Sequence, residues 1–300
     1  MLRWKIARVM GIDLYVNWTF LLVPVLVLMS TWQRGEPLAA QHQALFFLCV
    51  TFATFGCVIL HELGHARMAR LFGIGTRDIT ISLIGGVARL ERMSEKPWEE
   101  FLIAIAGPAV NVVIAFCLGV LMLPLLTFVG SVNAFFETPA TAFVGSLLAI
   151  NVGLVLFNML PAFPMDGGRV LRAVLSFLMD HLRATEIAVY VGISIAALFG
   201  IVGVISILNP GSLIVGSPVL VLIAFFIFTA GQQELAMTRR RYAMLAEQPM
   251  EVLPAEDTHV YPKVHVVEPG FSGMAWDVSR RAWVIWQNGR PVSTYGAKPE

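Results

Sequence analysis

The stretch from Phe46 to Phe72, FFLCVTFATFGCVILHELGHARMARLF, decides how the chain is read. It begins as a membrane-spanning apolar run and ends in His61-Glu62-Leu63-Gly64-His65. Two histidines four residues apart on a helix lie about 40° apart around its axis. Both imidazoles can therefore reach one metal ion, with Glu62 standing beside them. The pattern is H-E-x-x-H, two metal ligands and an acid–base group on one helical turn. The five letters alone are a weak signal, since soluble helices also carry them by accident. Here three ionisable side chains sit at the inner end of a long apolar helix, where such groups are costly and by default mark function.

Composition agrees with a membrane setting. Hydrophobic residues make up 57% of the 300 and charged ones only 14%, against about 25% charged in an average soluble domain. Mean hydropathy is +0.74. A net charge of +1 argues against nucleic acid as a partner. Cys49, Cys57 and Cys117 lie in apolar segments without metal-ligand spacing and read as reduced packing residues. The first apolar run lacks the small-residue cleavage site of a signal peptide.

Working outward, the chain divides into six apolar spans. They are Trp18–Trp32, Ala44–Phe72, Phe101–Val129, Ala142–Leu160, Ile187–Leu208 and Leu213–Ala230. Each approaches or exceeds the roughly 20 residues of a bilayer crossing. With the N-terminus inside, all but Arg34 of the 21 basic residues fall on the cytoplasmic side, which sets the orientation. The expected fold is an all-α polytopic membrane protein in the cell (inner) membrane, with both termini cytoplasmic. A membrane domain covers residues 1–236, and a cytoplasmic linker and small β-rich tail cover 237–300. In that tail Gln287-Asn288-Gly289-Arg290 reads as a type I′ hairpin turn. The run from Ala44 to Leu60 is about 26 Å long as a helix, so His61 falls near the cytoplasmic edge of the hydrocarbon.

Three further groups could complete a site. Ile79, Thr80, Ile81, Ser82, Leu83 and Ile84, followed by Gly85-Gly86 and then Val87–Glu91, read as a hairpin beside the metal helix. Its first strand is either an edge that pairs with an extended peptide or a plain cover for the bundle. A catalytic zinc usually takes three protein ligands. The candidate for the third is Asp166, on irregular backbone after Pro161 and Pro164; the alternative is that it N-caps a helix over Arg169–Asp180. Asn111 and Asn158 lie in apolar helices, either as donors to an oxyanion or as interhelical glue.

Together these residues resemble the site-2 protease family of intramembrane zinc metalloproteases. The likeness rests on His61-Glu62-x-x-His65, Gly107-Pro108-x-x-Asn111 and Asn158-x-x-Pro161 leading to Asp166-Gly167-Gly168. It spans roughly residues 5–210 and is nearest to the bacterial and archaeal branch that includes the sporulation-factor-processing proteases. The resemblance implies one Zn2+ held by His61, His65 and Asp166, Glu62 as catalytic base, and Asn111 and Asn158 near the substrate. It further implies cleavage of a membrane-anchored protein in or near its transmembrane segment, close to the cytoplasmic face, as in regulated intramembrane proteolysis. The chain departs from other branches in leaving no room for a PDZ domain between the second and third spans. Its tail after Arg241 is too short for paired CBS modules. The rival readings are a membrane metal-ion transporter and a different membrane H-E-x-x-H protease. The first needs polar groups across the bilayer, and the fifth and sixth spans carry no ionisable residue.

Overall fold

The computed structural model describes residues 3–32, 37–82, 85–92, 94, 96–129, 138–208, 217–246, 270–277 and 282–295. They form two compact units, Met1–Thr238 and Arg239–Glu300. The first unit opens on strands β1 (Arg3–Val9) and β2 (Ile12–Asn17), then a short 3-10 turn at Trp18–Leu21 leads into α1 (Leu22–Trp32). Helix α2 (Pro37–Leu71) follows, then β3 (Thr76–Ser82), β4 (Gly85–Leu90) and α3 (Pro97–Val129). Helices α4 (Pro139–Asn158), α5 (Asp166–Leu175), α6 (His181–Leu208) and α7 (Ser217–Ala246) complete the bundle.

Five described helices are long and apolar enough to cross a membrane: His42–Leu71, Pro97–Pro124, Pro139–Asn158, His181–Leu208 and Pro218–Met244. The expected first span is shorter, an apolar helix over Trp18–Met29. At 1.5 Å per residue it reaches only about 18 Å. Large apolar side chains such as Phe116, Leu156, Leu198 and Phe225 point outward from the bundle, as they do where lipid replaces a protein core. Helices approach closely on small residues. A Cβ on Gly64 of α2 would come within 2.7 Å of the Ala106 carbonyl oxygen on α3. Asn151 of α4 donates to its own Leu147 carbonyl and to Cys57 Sγ of α2 at 3.4 Å, the glue role.

The N-terminal segment, which carries Arg3, Lys5 and Arg8, is a strand pair. Met10 and Gly11 both take positive φ at its turn. Alternation explains the pairing: Leu14 is buried while Lys5 and Arg8 reach Asp13. The four strands form one sheet in the order β1-β2-β3-β4, with β2 and β3 parallel and the outer pairs antiparallel.

This order corrects the strand-edge expectation. Ile79, Thr80 and Ile81 are paired on both sides, with Leu14, Tyr15 and Val16 of β2 and with Ala88, Val87 and Gly86 of β4. Ser82 pairs with Gly85. Leu83 and Ile84 lie outside the described residues. Over Asp78–Ile81 β3 is thus an interior strand, and the edges of the sheet are β1 and β4. Gly85 and Gly86 are strand residues rather than the turn. Gly86 is needed for approach: a Cβ there would lie 2.9 Å from Cγ of Glu62 and 3.0 Å from Val58 on α2.

The second unit holds a three-stranded antiparallel sheet, β5 (Gly273–Asp277), β6 (Ala282–Gln287) and β7 (Arg290–Tyr295). Asn288 (φ 52) and Gly289 (φ 76) connect β6 to β7, the two positive dihedrals of a type I′ turn. Ala282 and Val284 are fully buried. Residues 247–269 of the expected linker lie outside the described residues.

Candidate metal centre

His61 and His65 occupy successive turns of α2 and point into the bundle against α3. Both are buried. Each ring is held from behind through Nδ1. His65 Nδ1 donates to the backbone carbonyl of Ile103 at 2.6 Å. His61 Nδ1 lies 3.1 Å from Asn111 Oδ1 and donates to it. Such outer partners fix the tautomer and aim the other nitrogen at the metal. Gly107 of α3 makes room for the rings, because a Cβ there would stand 2.7 Å from His61 Nε2 and closer still to His65 Nε2.

Asp166 arrives from another direction. The segment before it packs into the core, with Ala162 and Met165 against α6 and α7 and Phe163 against Ala188, Val189 and Leu235. Met165, in an extended conformation (φ −68, ψ 159), is the N-cap of α5, and Asp166 is the first helical residue. The N-cap alternative for Asp166 is therefore corrected, as is the helix range Arg169–Asp180. Gly167 and Gly168 leave no room for a side chain, because a Cβ at either would meet the backbone of Met159–Phe163. The Asp166 carboxylate sits at the helix N-terminus, where the backbone dipole favours negative charge, and turns onto the histidines.

Asp166 Oδ2 lies 3.1 Å from His61 Nε2 and 3.2 Å from His65 Nε2, and the two Nε2 atoms are 3.1 Å apart. A neutral imidazole carries one N–H. With both Nδ1 atoms donating, both Nε2 atoms present lone pairs. Three lone-pair atoms then face one another with no proton among them, an arrangement that calls for a cation. Tetrahedral zinc with bonds of about 2.0–2.1 Å places its ligand atoms about 3.3 Å apart. The triangle fits zinc. Among the described residues these three form the one group of His, Cys, Asp or Glu placed to share a metal ion.

Glu62 stands half-buried beside the triad, and its Oε2 accepts a hydrogen bond from the Ala88 amide at 3.0 Å. Asn111 is fully buried; its Oδ1 is spent on His61, and its Nδ2 has no partner among the described residues. Asn158 is half-buried as the last residue of α4, eight positions before Asp166. Of the expected site residues, the structure gathers His61, His65, Asp166 and Asn111 through direct contacts.

Sequence reasoning missed a buried charge cluster behind this centre. Arg172 of α5 is 2% exposed. It donates through Nε and Nη2 to Glu100 Oε1 on α3, at 2.9 and 2.5 Å, and through Nη1 to Glu234 Oε1 on α7 at 2.5 Å. Its guanidinium lies 4.9 Å from the centre of the Phe163 ring. His181 is 3.5 Å from the other Glu100 oxygen. Burial would depress the Arg172 pKa, but Glu100 and Glu234 outweigh it and raise it. The cluster ties the helix bearing Asp166 to two others. Arg172→Ala takes the guanidinium from the buried Glu100 and from Glu234 and is expected to destabilise the protein by about 3 kcal/mol. Thermal unfolding of the detergent-solubilised variant measures this.

Two imidazoles and a carboxylate converging on one point, with a glutamate beside them in a bundle of apolar helices, define a membrane metallohydrolase centre. Residues 49–138 and 124–199 match the model for peptidase family M50. A Synechocystis sp. protein named as a candidate zinc metalloprotease, sll0528, is 35% identical over 89% of this chain and 67% of its own. The zinc metalloprotease MJ0392 of Methanocaldococcus jannaschii is 28% identical over 88% of this chain and 70% of its own. In solved structures, the site-2 protease from Methanocaldococcus jannaschii matches with a TM-score of 0.50 at 30% identity, covering 78% of this chain and 95% of that one. The chain belongs to peptidase family M50, the site-2 protease family. It is a zinc-dependent intramembrane metalloprotease.

Proposed function

We propose that His61, His65 and Asp166 are the zinc ligands and Glu62 the general base of a protease that cuts membrane-anchored proteins. The cut falls within or next to the substrate's transmembrane segment, near the cytoplasmic face, and frees a cytosolic fragment in regulated intramembrane proteolysis. The observation that carries this is the triangle of three lone-pair atoms 3.1–3.2 Å apart beside a glutamate. Bound zinc supplies Lewis acidity toward the scissile carbonyl and activates water at neutral pH. Glu62 takes the proton of the attacking water and delivers it to the leaving amine. The orphan Nδ2 of Asn111 supports a donor role toward the substrate oxyanion. Asn158 takes a substrate-facing role by its family resemblance and by its place at the end of α4.

Six spans with both termini cytoplasmic, in the cell (inner) membrane, remain the topology best supported by the one-sided basic residues. The division at Thr238 supports a membrane protease domain over 1–236 and a separate tail over 237–300. A helical substrate must unwind before attack, and the free edge of β4 offers its backbone replacement hydrogen bonds.

The test is reconstitution of the full chain in proteoliposomes with a library of fluorogenic single-span peptides. Cleavage near one membrane face that stops when zinc is chelated is expected. No cleavage of any peptide by zinc-loaded protein, with zinc entering the vesicles instead, overturns the reading in favour of transport.

A further inference from the structure

The free edge of β4 runs directly over the Glu62 turn of α2. Along β4 the backbone alternates sides. The Glu91 amide donates to the Gly75 carbonyl at 2.9 Å, on the β3 side. The amides of Gly86, Ala88 and Leu90 therefore face away from β3. The middle one does not face open space, because Ala88 N–H donates to Glu62 Oε2 at 3.0 Å. Gly86 lets the strand come this close to the helix. Ala88 and Leu90 of the same strand also border a cavity of about 400 Å³ whose lining includes Phe163, Pro164 and Arg169. Phe163 and Pro164 belong to the segment that delivers Asp166.

We infer that the Ala88 backbone amide is a positioning group for Glu62. It pins Oε2 and leaves Oε1 to collect and return the proton. This rests on the reading of Glu62 as general base. It gives β4 a second role besides any pairing with substrate. A strand laid along this edge can use the outward amides of Gly86 and Leu90, whereas the amide between them is committed to the base. The side chain of residue 88 takes no part, so conservation of the amide, not of alanine, is what matters. A glutamate side chain has three rotatable bonds, and a fixed partner removes most of that freedom near the reacting atoms.

Proline at position 88 is the direct probe. The Ala88 N–H is not part of the β3–β4 ladder, and proline is tolerated on edge strands where the N–H points outward. The full chain in proteoliposomes, loaded with zinc, is assayed on a single-span peptide that wild type cleaves. Ala88→Pro is expected to keep its zinc and its KM while kcat falls roughly 10- to 100-fold, the loss of one hydrogen bond to a charged group. The conservative Ala88→Gly, which retains the amide, recovers the kcat that proline loses. Wild-type kcat in Ala88→Pro at full zinc occupancy overturns the inference. So does an equal loss in Ala88→Gly, or a rise in KM at unchanged kcat, which assigns the amide to substrate binding. Where Ala88→Pro does not fold or loses zinc, an ester in place of the amide at residue 88 is read by the same kcat criterion. A wild-type protein that cleaves no peptide counts against the proposed function instead.

Discussion

Glu62→Gln is expected to reduce cleavage by about 10²–10⁴-fold, the range that a positioned acid–base group contributes, and to leave one zinc ion bound. The two outcomes separate because Glu62 touches none of the three ligand atoms. Its carboxylate is held by the Ala88 amide, whereas the histidines are oriented by Asn111 and Ile103 from the opposite side of their rings. Glutamine preserves the shape and can still meet the amide through its carbonyl oxygen. It cannot accept a proton at neutral pH. Single-turnover cleavage in proteoliposomes, paired with metal analysis of the same preparation, checks both halves. Cleavage near the wild-type rate removes Glu62 from the chemistry.

Asp166→Ala is expected to act differently, losing zinc and activity together. Two imidazoles remain after the change, but a catalytic zinc ordinarily holds three protein ligands. Among the described residues no other His, Cys, Asp or Glu is placed to complete the set. The fold has reason to survive. The loop before Asp166 is anchored by Ala162, Phe163 and Met165 in the core, and α5 is anchored by Arg172. Metal content falls to background while the thermal transition of the metal-free protein stays where metal-free wild type has it. Full zinc content in purified Asp166→Ala contradicts this.

The parts of this centre that could be read from sequence are those with a local signature. His61, Glu62 and His65 share one helical turn, so their geometry follows from 3.6 residues per turn. Asp166 was reachable because Pro161 and Pro164 end a helix at matching depth. Its competing N-cap role was decided only by Met165, which already caps α5. The β4 edge was not legible, because hairpin spacing says nothing about which strand lies inside a sheet. That depends on β2, some sixty residues earlier, pairing in parallel with β3. The N-terminal strands are short and charged, and their apolar alternation runs only over Trp4 and Ile6 in β1 and Ile12, Leu14 and Val16 in β2. Arg172, Glu100 and Glu234 belong to no local motif. Their meeting is a property of three helices separated by 62 and 72 positions from Arg172, and no local spacing announces it. Asn111 lies against the His61 ring, a contact that the Gly107-Pro108-x-x-Asn111 spacing does not announce.

The central claim is that one zinc ion is held by His61, His65 and Asp166. X-ray absorption at the zinc edge, on purified full-length protein with its metal content measured in parallel, tests it most directly. The account predicts one zinc per chain with two imidazole nitrogens and carboxylate oxygen in its inner sphere at about 2.0–2.2 Å. It also predicts that Asp166→Ala abolishes this signal. Protein without stoichiometric zinc, or an absorption spectrum unchanged by loss of the Asp166 carboxylate, contradicts it.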